Sequence, residues 1–177
     1  MTHRAPLIVA PYQSDWPSKF ASECFTLGAI FPEPRFQIEH IGSTAVPGLC
    51  AKPIIDIMIG ASSLSEIDER IEAMTGLGYE YMPQHEQAMP LRRFLAKPNI
   101  RPRAFHVHVV TVSSTFWKDH LRFRDALRND SQLANDYAAL KLQLAHNFGD
   151  DRESYTDAKG SFISAALDAA RISMTRA

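Results

Sequence analysis

The pair of strands predicted over 36–41 and 54–59, joined by a glycine-bearing loop, constrains the fold of this chain most strongly. Side chains alternate between the two faces of a strand, so the second strand places three isoleucines on one face. Asp56 and Met58 share the opposite face. We therefore expect the isoleucine face to be buried and the Asp56 carboxylate to point away from it.

Other patterns predict the remaining elements. Further strands are expected over 91–96 and 105–112. One helix is expected over 16–28, a second from the Ser63 capping box to Gly76 or Gly78, and a third from about 155 to 171. Between them, two apolar stripes at helical spacing consist of Phe116, His120, Phe123 and Leu127, and of Leu133, Tyr137, Leu140 and Leu144. A strand-forming half followed by a helical half predicts one α+β or α/β domain over residues 1–177. Its helices would flank a mixed sheet of about four or five strands.

The charge balance excludes several classes of partner. The chain has 177 residues with 19 basic and 20 acidic side chains, a net charge of −1, so no global field favours strong non-specific binding to nucleic acid or to a membrane. Any anion site must be local. Two cysteines form no disulfide framework, and no apolar run approaches the length of a membrane span or a signal peptide. We expect a soluble, cytoplasmic protein.

The loop after the first strand is a candidate phosphate site. Gly42 permits backbone conformations closed to other residues, and Ser43 offers a hydroxyl beside exposed amide groups. Asp56 on the next strand is a candidate Mg²⁺ ligand, since this ion is commonly shared between one or two carboxylates and substrate phosphates. Gly-Ser turns are common, however, and a lone strand aspartate is more often solvated or hydrogen-bonded to a loop.

Two histidines form a second candidate group. His106 and His108 share one face of a predicted strand, where imidazoles can ligate a metal, hold a phosphate when protonated, or act as acid and base. The alternative is two polar residues on the wet side of a half-buried strand. A His-x-His pair without a further nearby ligand is weak evidence for zinc.

Basic side chains form a third group. Alternation puts Arg92 and Arg93 on opposite faces of their strand, so at most one of them joins a site. Tyr155 and Lys159 lie four residues apart on a predicted helix and would present a phenol and an ammonium together, although an ordinary surface pair explains them equally well. Solvated loop charges explain the remaining basic residues of this region, Lys97, Arg101 and Arg103.

The run 40–49, followed by 51–56, closely resembles the signature of the GrpB-like family, small bacterial proteins assigned to the nucleotidyltransferase superfamily. Further matches lie at 106–108, 122–128, 137–141, 155–159 and 162–163, so the resemblance covers nearly the whole chain. It implies a mixed sheet flanked by helices, in which a Gly-Ser turn holds nucleotide phosphate and strand carboxylates hold Mg²⁺ or Mn²⁺. No organic cofactor is expected.

Carried over by position, the resemblance makes Gly42 and Ser43 the phosphate turn and Asp56 the first carboxylate. Where the superfamily has a second carboxylate, two positions later, this chain has Met58, and a thioether does not replace a carboxylate for a hard ion. The expected metal ligands are therefore Asp56 with Glu39 or His108. The predicted catalytic residues are Asp56, His106 and His108, and the predicted phosphate-binding residues are Gly42, Ser43, Thr44, Lys52, Arg93 and Lys159.

Three functions follow as hypotheses. The first is a metal-dependent transfer of a nucleotidyl group from a nucleoside triphosphate to an unknown acceptor. The second is a non-catalytic module that binds a nucleotide or another phosphorylated small molecule and is linked to coenzyme A metabolism, because GrpB-like domains occur fused to dephospho-CoA kinases. The third is a hydrolase with a transition metal at His106 and His108. Self-association of the chain stays open.

Overall fold

The computed structural model describes residues 8–149 and 151–175. In this part of the chain five strands form one sheet: β1 (Gln37–Ile41), β2 (Ile55–Ala61), β3 (Glu80–Tyr81), β4 (Arg92–Lys97) and β5 (Phe105–Thr111). The helices are α1 (Trp16–Gly28), α2 (Leu64–Asp68), α3 (Ile71–Gly76), α4 (Thr115–Asn129), α5 (Ser131–Phe148), α6 (Arg152–Asp157) and α7 (Gly160–Thr175). The predicted α+β class, with a mixed sheet and a helical C-terminal half, is confirmed.

The sheet runs in the order β1-β2-β5-β4-β3. β2 and β5 lie parallel at its centre, and every other pairing is antiparallel. Asp56 on β2 is in register with His106 on β5, and Met58 with His108. Because side chains in register share a face, the topology brings the predicted carboxylate and both predicted histidines to the same side of the sheet.

The two faces of the sheet have separate apolar cores. The isoleucine face of β2 is fully buried against an aromatic layer that includes Trp16 of α1 and, from the segment that follows α1, Phe31 and Phe36. On the other face Met58 is completely buried in a smaller cluster with Ile41, Val110 and Trp117. Burying these side chains stabilises the fold by about 25 cal/mol for each Å² removed from water. Asp56 and the histidines occupy the end of this second face that the small cluster leaves open.

Two predicted helices are each broken into two. The helix predicted from Ser63 is interrupted at Arg70, whose guanidinium donates to the carbonyl of Ile30 (Nε–O 3.2 Å) and to that of Glu66 (Nη1–O 2.6 Å). The helix predicted from about 155 is interrupted between α6 and α7, where Gly160 follows. β3 was not predicted, since two residues are too short a run for a periodic signal.

None of the described helices combines the length and the apolar character needed to cross a bilayer.

Candidate functional site

The turn after β1 lies in contact with Asp56. Gly42 has φ 71°, a left-handed conformation that glycine adopts at little cost. A Cβ atom added there would lie 2.5 Å from Asp56 Oδ2, so only the bare glycine backbone fits against this carboxylate. The chain then makes a short 3₁₀ turn over Ser43–Ala45. The predicted phosphate turn and the predicted carboxylate therefore form one unit.

Two imidazoles face the same carboxylate oxygen. His106 Nδ1 lies 3.3 Å from Asp56 Oδ1, and His108 Nε2 lies 4.0 Å from it. Burial alone raises the pKa of Asp56, but hydrogen bonds and charge interactions with the two histidines outweigh burial and hold its pKa well below the usual range. Asp56 is therefore a permanent anion at neutral pH.

The proton positions on His108 follow from its second neighbour. Arg92 Nη1 lies 3.2 Å from His108 Nδ1, and arginine has no acceptor, so Nδ1 accepts and the proton of the neutral ring is on Nε2, towards Asp56. Burial, with a contribution from the Arg92 charge, lowers the pKa of His108 to about 4, although Asp56 opposes this shift. His108 is therefore neutral at pH 7, and neither ring nitrogen offers a free lone pair.

His106 and His120 each keep a ring nitrogen with a free lone pair. His106 Nδ1 faces Asp56 Oδ1, which can only accept, so the neutral ring has its proton on Nδ1 and its lone pair on Nε2. His120 on α4 donates from Nδ1 to the Phe116 carbonyl at 2.8 Å, so its Nε2 also carries a lone pair, and burial lowers the pKa of His120. These two imidazoles, rather than His108, have the free acceptor that a general base needs.

A buried lysine reaches the phosphate turn from α5. Lys141 Nζ donates to Ser43 Oγ at 3.0 Å and to the carbonyl of Cys50, and it lies 4.8 Å from the centre of the Tyr137 ring. The side chain is 2% exposed. Burial lowers the pKa of Lys141 to about 8, so most of the population is cationic at pH 7.

Two more lysines meet on one phenol ring. Lys52 Nζ lies 4.6 Å and Lys159 Nζ 4.4 Å from the centre of the Tyr155 ring, within the range of a cation–π interaction. Burial lowers the pKa of Lys159, and Asp56 opposes this shift. Tyr155 is itself buried, which raises its pKa to about 12. The break between α6 and α7 leaves Lys159 at the end of α6, beside this ring.

All these groups line one cleft of about 500 Å³. Among the described residues that line it are one carboxylate, that of Asp56, four basic side chains, those of Lys52, Arg92, Lys141 and Lys159, and four histidines, His85, His106, His108 and His120. The volume lies in the usual range for small-molecule sites. Because basic side chains outnumber the carboxylate among the lining residues described, the cleft favours an anionic ligand.

Three basic residues of the cleft differ from the basic residues elsewhere in that they form no ion pair with a carboxylate among the residues described. Within residues 8–149 and 151–175, ten lysine and arginine side chains outside the cleft lie within 4.0 Å of a carboxylate. Arg92, Lys141 and Lys159 have no such ion pair among the same residues. The Arg92 Nε atom is buried and has no hydrogen-bond acceptor there. Buried cations without a counter-ion are costly unless a ligand supplies the opposite charge.

Most of the residues predicted from the sequence lie in this cleft: Gly42, Ser43, Thr44, Lys52, Asp56, His106, His108 and Lys159. Two do not. Arg93 lies on the opposite sheet face, where its guanidinium pairs with Asp68 (Nε–Oδ1 2.6 Å) and Glu86. Glu39 is paired with Arg124 at 2.6 Å. Although Thr44 lines the cleft, its hydroxyl is bonded to His40 Nε2 at 3.0 Å.

Among the titratable side chains of the cleft, sequence reasoning did not select five: His85, Arg92, His120, Lys141 and Tyr155. Arg92 and Tyr155 had been considered as candidates. Two of the others carried a signal. His120 belongs to the predicted apolar stripe of α4, and Lys141 lies four residues after Tyr137 on the buried face of α5. Polar side chains on a buried helical face were therefore the available clue.

A second, smaller cavity of about 190 Å³ adjoins the cleft. The two cavities share Gly42, Ser43 and His120. The other lining side chains come from α4, α5 and α7. Two of them, Asp119 and Arg124, are charged, and the rest are mainly apolar: Phe123, Leu127, Tyr137, Ile163 and Leu167.

The predicted metal ligands do not come together as a resident Mg²⁺ or Mn²⁺ centre. Among the residues that the structure describes, no group of three or more His, Cys, Asp or Glu side chains is placed to hold a metal ion. Glu39 is engaged by Arg124, and His108 Nε2 carries a proton. Met58, which stands where the sequence resemblance implies a second carboxylate, is buried in apolar surroundings. Among the described residues that line the cleft, only Asp56 is an anionic donor.

Comparison with known proteins identifies relatives along most of the chain. A UPF0157 protein of Pseudomonas aeruginosa is 36% identical over 162 residues, which are 90% of this chain and 65% of the relative. A dephospho-CoA kinase of Mycolicibacterium paratuberculosis is 27% identical over 88% of this chain and 44% of the kinase. The chain thus spans less than two thirds of the length of either protein.

The fold also has a solved counterpart. The crystal structure of the conserved protein GrpB from Enterococcus faecalis superposes with a TM-score of 0.81 at 37% identity, covering 92% of this chain and 96% of that one. A family model described as GrpB protein matches residues 6–169. A match of this extent, together with these relatives, shows that the chain belongs to the GrpB family.

Proposed function

We propose that the cleft binds a nucleotide or another phosphorylated small molecule through its phosphate groups. The observation that carries this proposal is the set of basic side chains that line the cleft without a carboxylate partner, Arg92, Lys141 and Lys159. Each is partly or fully buried, and each would gain a counter-ion when a phosphate enters. A nucleoside triphosphate, with three phosphates, matches a cleft in which basic groups flank the single carboxylate on several sides.

The turn at Gly42 and Ser43 would hold one phosphate. Lys141 already touches the Ser43 hydroxyl, so an oxygen placed near both would accept a charge-assisted hydrogen bond from the ammonium. Lys52 and Lys159, which lie against the Tyr155 ring, would bind a second phosphate through their ammonium groups. Arg92 also lines the cleft and would add its positive charge to the site.

Magnesium would enter this site as part of the substrate. A Mg²⁺ ion bound to a triphosphate needs only one or two protein carboxylates in addition to phosphate oxygens, and Asp56 supplies one. The chain's own donors would not retain the ion by themselves. Binding of the triphosphate should therefore persist without metal, and Mg²⁺ should add a contribution that depends on Asp56.

Nucleotidyl transfer is the second candidate, favoured by the contact between Asp56 and His106. A carboxylate that orients an imidazole, leaving the far nitrogen with a lone pair, is the arrangement of a general base. His106 would take the proton of an acceptor hydroxyl as its oxygen bonds to the α-phosphorus and the bond to pyrophosphate breaks. The basic side chains would stabilise the charge on the leaving pyrophosphate. The name of the dephospho-CoA kinase relative supports nucleotide chemistry in the family.

Isothermal titration calorimetry tests the binding proposal. We expect the wild-type protein to bind ATP in the presence of EDTA, and Mg²⁺ to strengthen this binding in the wild type more than in Asp56→Asn. Arg93→Gln, on the other face of the same strand, is the matched control and should bind like the wild type. If inorganic triphosphate and ATP both fail to bind the wild-type protein, the proposal is wrong.

Release of pyrophosphate from each of the four nucleoside triphosphates separates the two candidates. Sustained release that is lost in His106→Gln would establish transfer or hydrolysis at this site. Tight binding without any turnover, across a panel of hydroxyl and phosphate acceptors, would leave a binding module.

A further inference from the structure

The smaller cavity beside the phosphate turn has no role in the proposed function. It is separated from the cleft only by the residues that line both, Gly42, Ser43 and His120. A molecule whose phosphate sits at the Ser43 hydroxyl would therefore have one of its ends next to this cavity. Its volume of about 190 Å³ equals the space of about six water molecules in the liquid.

The charged residues of the smaller cavity are already neutralised. Both oxygens of Asp119 lie 3.0 Å from Arg171 Nη2, and Arg124 is paired with Glu39 at 2.6 Å. His120 donates to a carbonyl of its own helix and is neutral at pH 7 because burial lowers its pKa. Unlike the cleft, the smaller cavity therefore has no unpaired charge among the described residues that line it.

Most of its remaining side chains are apolar, and several of them pack against one another. Tyr137 packs edge-on against Phe123 (ring centres 5.2 Å apart) and stacks on Phe162 (5.3 Å). Leu127 and Leu167 are buried beside them. An apolar group that enters such a preformed cavity gains the free energy of leaving water without rearranging its walls.

We infer that the smaller cavity binds an uncharged, apolar group of about four to six non-hydrogen atoms that belongs to the same molecule as the phosphate in the cleft. The ligand is thus an organic phosphate ester or anhydride with a short aliphatic or aromatic end. This inference rests on the proposed function, because the phosphate site anchors the molecule. His120 and the Gly42–Ser43 backbone would contact the atoms that join the two ends.

A series of alkyl phosphates tests the inference. Inorganic, methyl, ethyl, n-butyl and n-octyl phosphate are titrated into the wild-type protein. We expect the affinity to rise about fourfold for each added methylene group, as transfer of a methylene out of water predicts, and to level off once the cavity is full. Two variants of α7 change the cavity size: Ile163→Phe reduces it and Leu167→Ala enlarges it.

The two variants distinguish a change of the cavity from a loss of the folded structure. Ile163→Phe should bind inorganic phosphate like the wild type but lose the dependence on chain length. Leu167→Ala should move the plateau to a longer chain, which a merely structural role of Leu167 does not explain. Equal affinity of the wild type for inorganic and butyl phosphate would overturn this inference alone. Failure to bind any phosphate, including inorganic triphosphate, would instead overturn the proposed function.

Discussion

Arg92 Nη1 lies 3.2 Å from His108 Nδ1, and this contact turns the protonated nitrogen of His108 towards Asp56. The contact fixes one proton in the centre of the cleft and leaves the Arg92 Nε atom without an acceptor among the residues described. Arg92 thus positions a histidine on one side and has an unused donor on the other.

Replacing Arg92 should therefore weaken anion binding. We expect Arg92→Gln to lower the affinity for inorganic triphosphate by about tenfold to a hundredfold, since hydrogen bonds to charged groups contribute about 1.5–3 kcal/mol each. Arg93→Gln is the control, because its side chain pairs with Asp68 on the opposite face. Calorimetric titration of both variants is the measurement. An Arg92→Gln protein that binds like Arg93→Gln would show that Arg92 serves folding only.

Gly42→Ala should destabilise the protein more than an ordinary glycine replacement. Gly42 and Gly48 both have positive φ, at 71° and 80°, which is unfavourable for alanine, and Gly42, with ψ −173°, lies in a region confined almost entirely to glycine. Only Gly42 has a close neighbour, Asp56 Oδ2 at 2.5 Å from the added Cβ, whereas nothing lies within 4 Å at Gly48. Urea unfolding should give a further loss of about 1–3 kcal/mol for Gly42→Ala relative to Gly48→Ala. Equal losses would mean that the turn moves away from Asp56 freely.

Anion binding should decline as the pH rises through about 8. The pKa of Lys141 is lowered to about 8 by burial, so its ammonium loses the proton there while exposed lysines keep theirs. Triphosphate affinity is measured between pH 6.5 and 9.5. Lys141→Met should bind more weakly at pH 7 and lack this decline, and the exposed Lys118→Met should behave as the wild type. A decline of the same size in Lys141→Met would assign it to another group.

The same lysine should cost folding stability. Its pKa is lowered from 10.5 to about 8 in the folded chain, so the unfolded chain binds more protons between these values and stability rises with pH across this window. The charged form is disfavoured by about 3 kcal/mol at pH 7. Lys141→Met should accordingly unfold at a higher urea concentration than the wild type, while binding triphosphate less tightly. A less stable variant would show that the bonds to Ser43 and Cys50 outweigh the buried charge.

Acid should destabilise the protein through two buried histidines. Burial lowers the pKa of His40 and of His108 from 6.5 to about 4. The unfolded chain therefore binds more protons below pH 6.5, and the free energy of unfolding should fall between about pH 6.5 and 4, by up to about 1.4 kcal/mol per pH unit for each histidine. His40→Gln should reduce this slope by up to about 1.4 kcal/mol per pH unit, whereas the exposed His146→Gln should not change it. Urea unfolding across this pH range provides the slopes.

Periodicity was sufficient to predict the elements that pack against one another. The alternation over β2 and β5 identified both strands, and their register then placed Asp56 beside His106 without further information. The break at Arg70 was not predictable, because it involves a contact with the distant residue Ile30. Short-range patterns do not contain such contacts.

For the site, the sequence predicted the residues of the turn and of the strands, but it missed most of the cleft side chains that lie on helices. It established that Arg92 and Arg93 point to opposite faces, but not which face holds the cleft, since that depends on where α4 packs. Lys141 is 98 residues from its partner Ser43, a separation at which no local pattern relates two side chains. The nucleotide and the acceptor depend on shape and on bound groups, which residue spacing does not encode.

The break between α6 and α7 has a consequence for how the cleft is made during synthesis. It leaves Lys159 beside Tyr155, so the wall opposite the sheet comes from a segment translated more than a hundred residues after Gly42. A nascent chain that has already folded its sheet still presents Asp56 and Arg92 to water, without Lys141 of α5 and without Lys159, which follows α6. A phosphorylated ligand would therefore bind tightly only after this late segment has packed against the sheet.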